Sequence, residues 1–466
     1  MIKHPVNLFK KLSDDEIKKL IDSALEILKT AGYDVFSPSA LSVLKEAGVK
    51  TDGERVFPEP EFIMEHVRKA PRQWTWQARN PDKDVIIGDG SLALSPTYGG
   101  CFIVDSKGIR RDTLLADYVT LTKISHAIGE IDACSFTIVE PQDVPVEERA
   151  LKMTKTLLEL TDKPIMGAVT SPEGARQSIE MARLAMGDRK DGTFILGLIN
   201  GNSPLCLEIN MGESMMEYVD QGQPVLWTPC VNMGITGPVT PEGTCALYLA
   251  EILMGLAIIQ LKSPGHPVIM GVGVFGTDLR NASTGFGRAE QVLGTMIMAQ
   301  ISHRLGIPFR SSSSVTGSLL TDMRAGYESM QTAMSAWLSG GSLALQSFGV
   351  MDNISSVSFE KFMFDLEIWR NIRSFARTMN FSEENLAIDV AKEHPAMYLA
   401  HPHTMKHFRE TIYSPMFAPP KPYDPNNIAN VTEMAGELFK KELAGYEQPL
   451  LDNETIEAMN TLMQQQ

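Results

Sequence analysis

Cysteine is scarce in this chain and shows no pairing pattern. Cys101, Cys134, Cys206, Cys230 and Cys245 are five in number, widely spaced, with no Cys-x-x-Cys, so no disulfide framework is written in the spacing and reduced thiols of a cytoplasmic protein are expected. Positive charge is in deficit as well: 42 Lys and Arg stand against 57 Asp and Glu, a net charge of -15, with no clustered basic stripe. This balance argues against a nucleic-acid or anionic-membrane partner and is kinder to a small organic cation. Screening over roughly 8 Å at physiological salt limits such a field to capture. No signal-peptide order of charged, apolar and small residues opens the sequence, and no uninterrupted apolar run reaches the roughly 20 residues of a membrane helix. Gly-x-Ser-x-Gly, His-Glu-x-x-His and phosphate-binding Walker sequences are all missing, which leaves serine hydrolase, zincin and P-loop chemistry unsupported.

What remains is ordinary globular composition, 43% hydrophobic and 21% charged over 466 residues, enough for a large core. Leu12 to Ile17 reads as a helix start, with Ser13 and Glu16 forming a capping box and Leu12 stapling to Ile17. A helix near Pro60 to Lys69 and strand-like Trp74, Trp76 and Val85 to Ile87 follow. Residues 1–90 are therefore expected to form a helical and β cap or dimerisation layer. From there apolar strand candidates alternate with helical patterns, near Gly100–Val104, Ser135–Val139, Pro164–Ala168, Phe194–Ile199, Pro224–Thr228, Val268–Val272, Pro308–Ser311 and Ser342–Gln346. Eight βα units predict an α/β fold, a (β/α)8 TIM barrel over residues 91–380. A doubly wound open sheet is the structural alternative. Residues 381–466 read as a helical C-terminal extension, crossed by Pro415, Pro419, Pro420, Pro422 and Pro425 before a last helix near Val431–Leu443.

In a barrel, the loops after the strands build the site. Those loops carry Glu140, Asn200, Asn232, Asp278 and Arg310, together with the aromatic Trp227, Phe275 and Phe348. Aromatic faces hold an organic cation by cation–π attraction, although each of the three alternatively fills the core. Asp278 and Glu140 balance a positive ligand or else pair with a neighbour such as Arg280. Arg310 grips a carboxylate with two parallel hydrogen bonds or else forms an internal ion pair. His403 and His407 have the i, i+4 spacing of zinc ligands, but no Cys or Glu at ligand spacing accompanies them, so capping and packing are the default and no metal site is expected.

Three polar, glycine-rich signatures stand out: Gly234 to Thr240 with Ala250 and Glu251; Thr277 to Arg280 with Gly287 to Glu290; and Thr321, Asp322 with Ala325 to Glu328. With Arg110, Arg111, Ser203 to Leu205, Ser358 to Lys361, Asp365, Glu367 and His403 to Arg409, they run in order through most of the chain. This set resembles the trimethylamine methyltransferase superfamily, the MttB-like proteins. The resemblance implies a (β/α)8 barrel that presents its site to a separate corrinoid protein and holds no tightly bound cofactor of its own. It also places Tyr327 where trimethylamine enzymes of the family carry pyrrolysine. Lacking that residue, the chain looks like the branch acting on quaternary amines, with glycine betaine the expected substrate and proline betaine, carnitine or γ-butyrobetaine as alternatives. The implied reaction moves an N-methyl group to Co(I), with Asp278, Tyr327 and Glu140 as catalytic candidates and Trp227, Phe275, Arg310, Phe348, Asn200 and Asn232 as substrate-binding candidates. A zinc-dependent methyltransferase, a non-catalytic betaine-binding protein and an enzyme for another methylated amine are the competing readings. Self-association as a homo-oligomer is expected from the helical segments at both ends.

Overall fold

The structure is a computed structural model that describes residues 1–393, 396–417 and 430–464. Its spine is a set of short parallel strands. Ile165–Met166, Ile195–Ile199, Val225–Trp227 and Val268–Met270 pair in chain order. A second ladder joins Ser91–Leu94, Leu343–Leu345 and Arg310–Ser312, with Ile2–Lys3 added antiparallel to Ser91–Leu94. Single bridges join Cys134 to Ile165 and Met270 to Phe309, and the amides of Asp132 and Ala133 donate to the Leu94 carbonyl at 2.8 and 3.2 Å. Helices alternate with these strands throughout, so the fold is mixed α/β.

Parallel strands covered by helices on their faces read as continuous apolar runs. Ile195–Ile199, Val225–Trp227 and Val268–Met270 fit that rule, every residue being buried. Arg310–Ser312 breaks it: an arginine and two serines are buried in a row. A buried polar strand in an apolar spine needs a reason, since each polar group there requires a partner.

The helix Pro241–Lys262 is buried without interruption from Thr244 to Gln260. It is long and apolar enough to cross a membrane by length and composition, yet 89% of its most apolar stretch is inside the fold. The reason is local. One side meets the strands, and the other is roofed by Asp14–Thr30 and Pro60–Val67, so a helix apolar all round is here a core helix. The roof begins as its sequence predicts: Ser13 accepts from the Glu16 amide, and the Glu16 carboxylate accepts from the Ser13 amide at 2.8 Å.

Two strand expectations need correction. Phe102–Val104 is a strand, but it pairs with Ser356–Val357 and Arg110–Asp112 in a separate small sheet; the place in the parallel ladder belongs to Ser91–Leu94. Ser135–Val139 forms no regular strand, only bridges at Cys134 and Val139. Both segments are apolar, and apolarity alone does not say which sheet a strand joins. Beyond the strands, Phe359–Phe375 buries Phe362, Leu366 and Trp369, and Val431–Ala444 packs on it with Phe359 and Phe439 stacked at 4.8 Å. Pro419, Pro420, Pro422 and Pro425 lie outside the described residues.

Candidate active site

Polar and aromatic side chains converge at the C-terminal ends of the strands around a cavity of about 220 Å³. Asn200 follows Ile195–Ile199, Thr228 follows Val225–Trp227, Ser312 ends Arg310–Ser312, and Gln346 follows Leu343–Leu345; all four line the cavity. Ligands of α/β proteins collect at this end of the strands. A larger cavity, about 580 Å³, lies near the opposite ends of the strands beside Met1, His126 and Lys163. Several of its charges are already engaged: the Met1 amine binds Asp132, the Lys163 ammonium donates to the carbonyls of Ser125 and Ile128, and His126 sits 3.5 Å from Asp162.

Arg310 dominates the smaller cavity. It is the single charged residue among those lining it, it is buried, and its one side-chain hydrogen bond among the described residues is a 3.3 Å contact from Nη2 to the Gln346 Oε1. Its Nε has no partner among the described residues. Burial lowers the guanidinium to about 10, which leaves it charged at neutral pH. An ionised group buried without an opposite charge is costly unless something completes it. A carboxylate is the natural complement, since it accepts two parallel bonds from the guanidinium.

The facing wall is aromatic. Phe275 and Phe286 meet with ring centroids 4.4 Å apart, and Ile354 packs against them. Tyr98 joins the lining, its phenol pushed up to about 12 by burial and therefore neutral. Cys230 opens onto the cavity and is exposed there, while desolvation by the surrounding protein raises its thiol to about 11. The cavity thus offers one cation, neutral donors and acceptors, and aromatic faces.

Among the residues the sequence singled out, Asn200, Phe275 and Arg310 come together in this cavity. The other six lie elsewhere. Trp227 is fully buried, donates from Nε1 to the Glu251 carbonyl at 3.1 Å and packs against Gly201 and Gly255. Phe348 is equally buried and stacks on Phe362 at 5.2 Å. Asn232 ends a short strand beside Phe275, its amide accepted by the Thr236 hydroxyl. Asp278 is fixed by Arg280 at 2.6 and 2.8 Å, with Arg288 at 3.8 Å, and these cations hold its carboxyl far below the usual range. Glu140 accepts from Arg149 at 2.8 Å. Tyr327 is 56% exposed on Met323–Leu338, whose inward face is Ala325, Glu328, Ser329 and Thr332. His403 and His407 meet with tilted rings on an exposed helix and both reach Glu384, while His401 caps that helix.

Sequence reasoning missed Tyr98, Thr228, Cys230, Phe286, Gln346 and Ile354. Thr228 and Gln346 were the final residues of their strand candidates, and a strand's last residue is where a loop site begins. Phe286 adjoins the Gly287 to Glu290 signature. Nothing in the sequence pointed to Ile354.

The acidic signature residues turn out to be fasteners. Buried Glu251 accepts from the Ser203 hydroxyl at 2.6 Å and the Leu205 amide at 2.8 Å, pinning the loop that carries Asn200. Burial raises its carboxyl from 4.5 to about 7. The folded state therefore binds this proton more tightly than the unfolded chain, and its contribution to stability falls as pH rises from 4.5 through 7, by on the order of 3 kcal/mol. Glu251→Gln removes that titration. Between pH 5 and pH 8 the thermal midpoint of the variant should gain on that of the parent; a constant difference would show that Glu251 does not titrate in the window.

A buried cation and aromatic side chains lining one cavity at the strand ends of an α/β scaffold have the chemistry to take a small ligand bearing an anion. Residues 1–466 match the trimethylamine methyltransferase (MTTB) family, and the chain belongs to that family. The glycine betaine methyltransferase of Desulfitobacterium hafniense (strain Y51) is 32% identical over 450 residues, 95% of this chain and 94% of that protein. The proline betaine:corrinoid methyltransferase of Eubacterium limosum is 24% identical over 477 residues, covering 97% and 96% of the two chains. The crystal structure of Methanosarcina barkeri monomethylamine methyltransferase (MtmB) aligns with a TM-score of 0.54 over 95% of this chain and 90% of that one. At 11% identity the likeness is one of fold.

Proposed function

We propose that this protein moves one N-methyl group from a carboxylated quaternary amine, with glycine betaine the first choice, to Co(I) of a corrinoid carried by a separate protein. The carrying observation is Arg310, buried in the cavity with no acidic partner among the described residues. A betaine brings the missing carboxylate and, at its other end, a cation suited to Phe275, Phe286 and Tyr98. Protonated trimethylamine brings a second positive charge and nothing for Arg310. Two like charges roughly 6 Å apart repel by about 3 kcal/mol at an effective dielectric near 20. The relatives named for glycine betaine and proline betaine support the same choice, and proline betaine, carnitine and γ-butyrobetaine are the alternative substrates.

The electron balance is simple. Co(I) supplies the pair that forms the cobalt–carbon bond, and the breaking carbon–nitrogen pair stays on nitrogen, which leaves as a neutral tertiary amine. No proton moves, so the site needs no general acid or base. Its work is alignment and exclusion of water. Glycine betaine would give dimethylglycine.

The two ladders are read as parts of one closed (β/α)8 barrel. Support comes from the Asp132 and Ala133 amides donating to Leu94 and from the Met270 to Phe309 bridge. A cytoplasmic location fits the five free thiols.

The test is visible absorbance of chemically reduced cobalamin, and of a cognate corrinoid protein, mixed with this protein and each of glycine betaine, proline betaine, carnitine, γ-butyrobetaine and trimethylamine. Conversion to methyl-Co(III) with a carboxylated quaternary amine and not with trimethylamine is the expected result. Binding without methyl transfer to either acceptor would leave a betaine-binding protein.

A further inference from the structure

We infer that Gln346 sets the charge preference of the cavity: as an uncharged partner it orients Arg310 and leaves the guanidinium's charge for the ligand. The inference rests on the betaine reading above and extends it to a residue outside the signatures. Gln346 lies at φ +63°, in the left-handed region that side chains seldom occupy. Such a conformation persists where its surroundings over-determine it, and here they do. The Gln346 amide donates to the Pro96 carbonyl at 3.0 Å, its Nε2 donates to the Tyr98 carbonyl at 3.3 Å, and its Oε1 accepts from Arg310 at 3.3 Å.

The side-chain amide is thus held at both ends, and its orientation is fixed by a carbonyl on one side and a guanidinium on the other. An acid of the same shape at this position would neutralise Arg310, as a carboxylate does for most buried arginines. The amide makes the contact without the charge. With Gln346 in place and no Asp or Glu lining the cavity, the pocket carries one positive charge and selects zwitterions over plain cations.

Calorimetric titration of the full-length protein with glycine betaine and with tetramethylammonium tests this. The parent should prefer glycine betaine. Gln346→Glu keeps the shape and should weaken glycine betaine by about 30-fold or more, while tetramethylammonium binds at least as well as before, so that the preference inverts. Gln346→Met keeps the charge and loses the anchor. It should weaken glycine betaine by about tenfold without inverting the order. Thermal melting checks that each variant is folded. A folded Gln346→Glu protein that still prefers glycine betaine would overturn the inference, as would Gln346→Met binding glycine betaine within about twofold of the parent. A parent that ignores the carboxylate would overturn the betaine reading itself, a different result from either.

Discussion

Arg310→Met is expected to lower kcat/KM for methyl transfer from glycine betaine by between about 30-fold and several thousand-fold, the range for truncating one partner of a buried charged pair. Folding should not suffer. The parent buries a guanidinium that, among the described residues, has no partner at Nε and one side-chain hydrogen bond, to a neutral amide. Replacing such a group by an apolar side chain of similar length is neutral or stabilising, so the thermal midpoint should hold or rise while activity collapses. Arg310→Lys retains charge without the planar fork, and it should recover only part of the loss. Steady-state kinetics with the corrinoid acceptor, read beside melting curves, separate the possibilities. A variant that melts far lower would make Arg310 a structural residue; one with unchanged kcat/KM would remove it from the site.

The sequence announced Arg310 through its context, a charged residue at the end of an apolar strand candidate. It did not announce which aromatic residues face the cavity. Along a strand, neighbours point to opposite sides, so a one-residue difference decides between core and site. Trp227 turns into the core against Gly201 and Gly255, while the next residue, Thr228, lines the cavity. Phe348 turns away in the same manner while Gln346, two positions earlier in an irregular left-handed bend, turns in. Composition and periodicity cannot register that bend.

Capping at Ser13 was legible because it is local, and with Glu16 it folded as its spacing required. Asp322 and Ser358, read from the sequence only as signature residues, prove to cap the helices that follow them. The βα rhythm was legible for the same reason, strand by strand. Long-range pairing was not, which is why Phe102–Val104 was placed in the wrong sheet. The signatures carried information of a third kind. Glu251 grips Ser203 and Leu205, and Glu328 accepts from the Thr316 hydroxyl and the Gly317 amide. Their acids hold the loops around the cavity in shape, and in the proposed reading the ligand is left to Arg310 and its neighbours.

Asp365→Ala should cost the most stability of any single change considered, about 3–5 kcal/mol. The Lys361 ammonium lies 2.6 Å from both Asp365 oxygens and 2.9 Å from the Ser314 carbonyl, and Asp365 also accepts from the Gly349 amide at 2.7 Å. Both side chains are buried. Burial pushes each away from its charged form, Lys361 downward and Asp365 up to about 6, and their contact opposes that push. Deleting the acid leaves an ammonium with no counter-charge and an amide with no acceptor. The damage would not stay local, since Ser314, at φ +50°, closes the turn that follows Arg310–Ser312. Lys361→Met combined with Asp365→Leu removes both charges and should recover most of the loss. Thermal denaturation of the two single variants and the double variant measures this directly. If Asp365→Ala cost less than about 1 kcal/mol, the pair would resemble an exposed surface bridge in strength, and the rigidity of the Arg310 strand would have to come from its β-ladder alone.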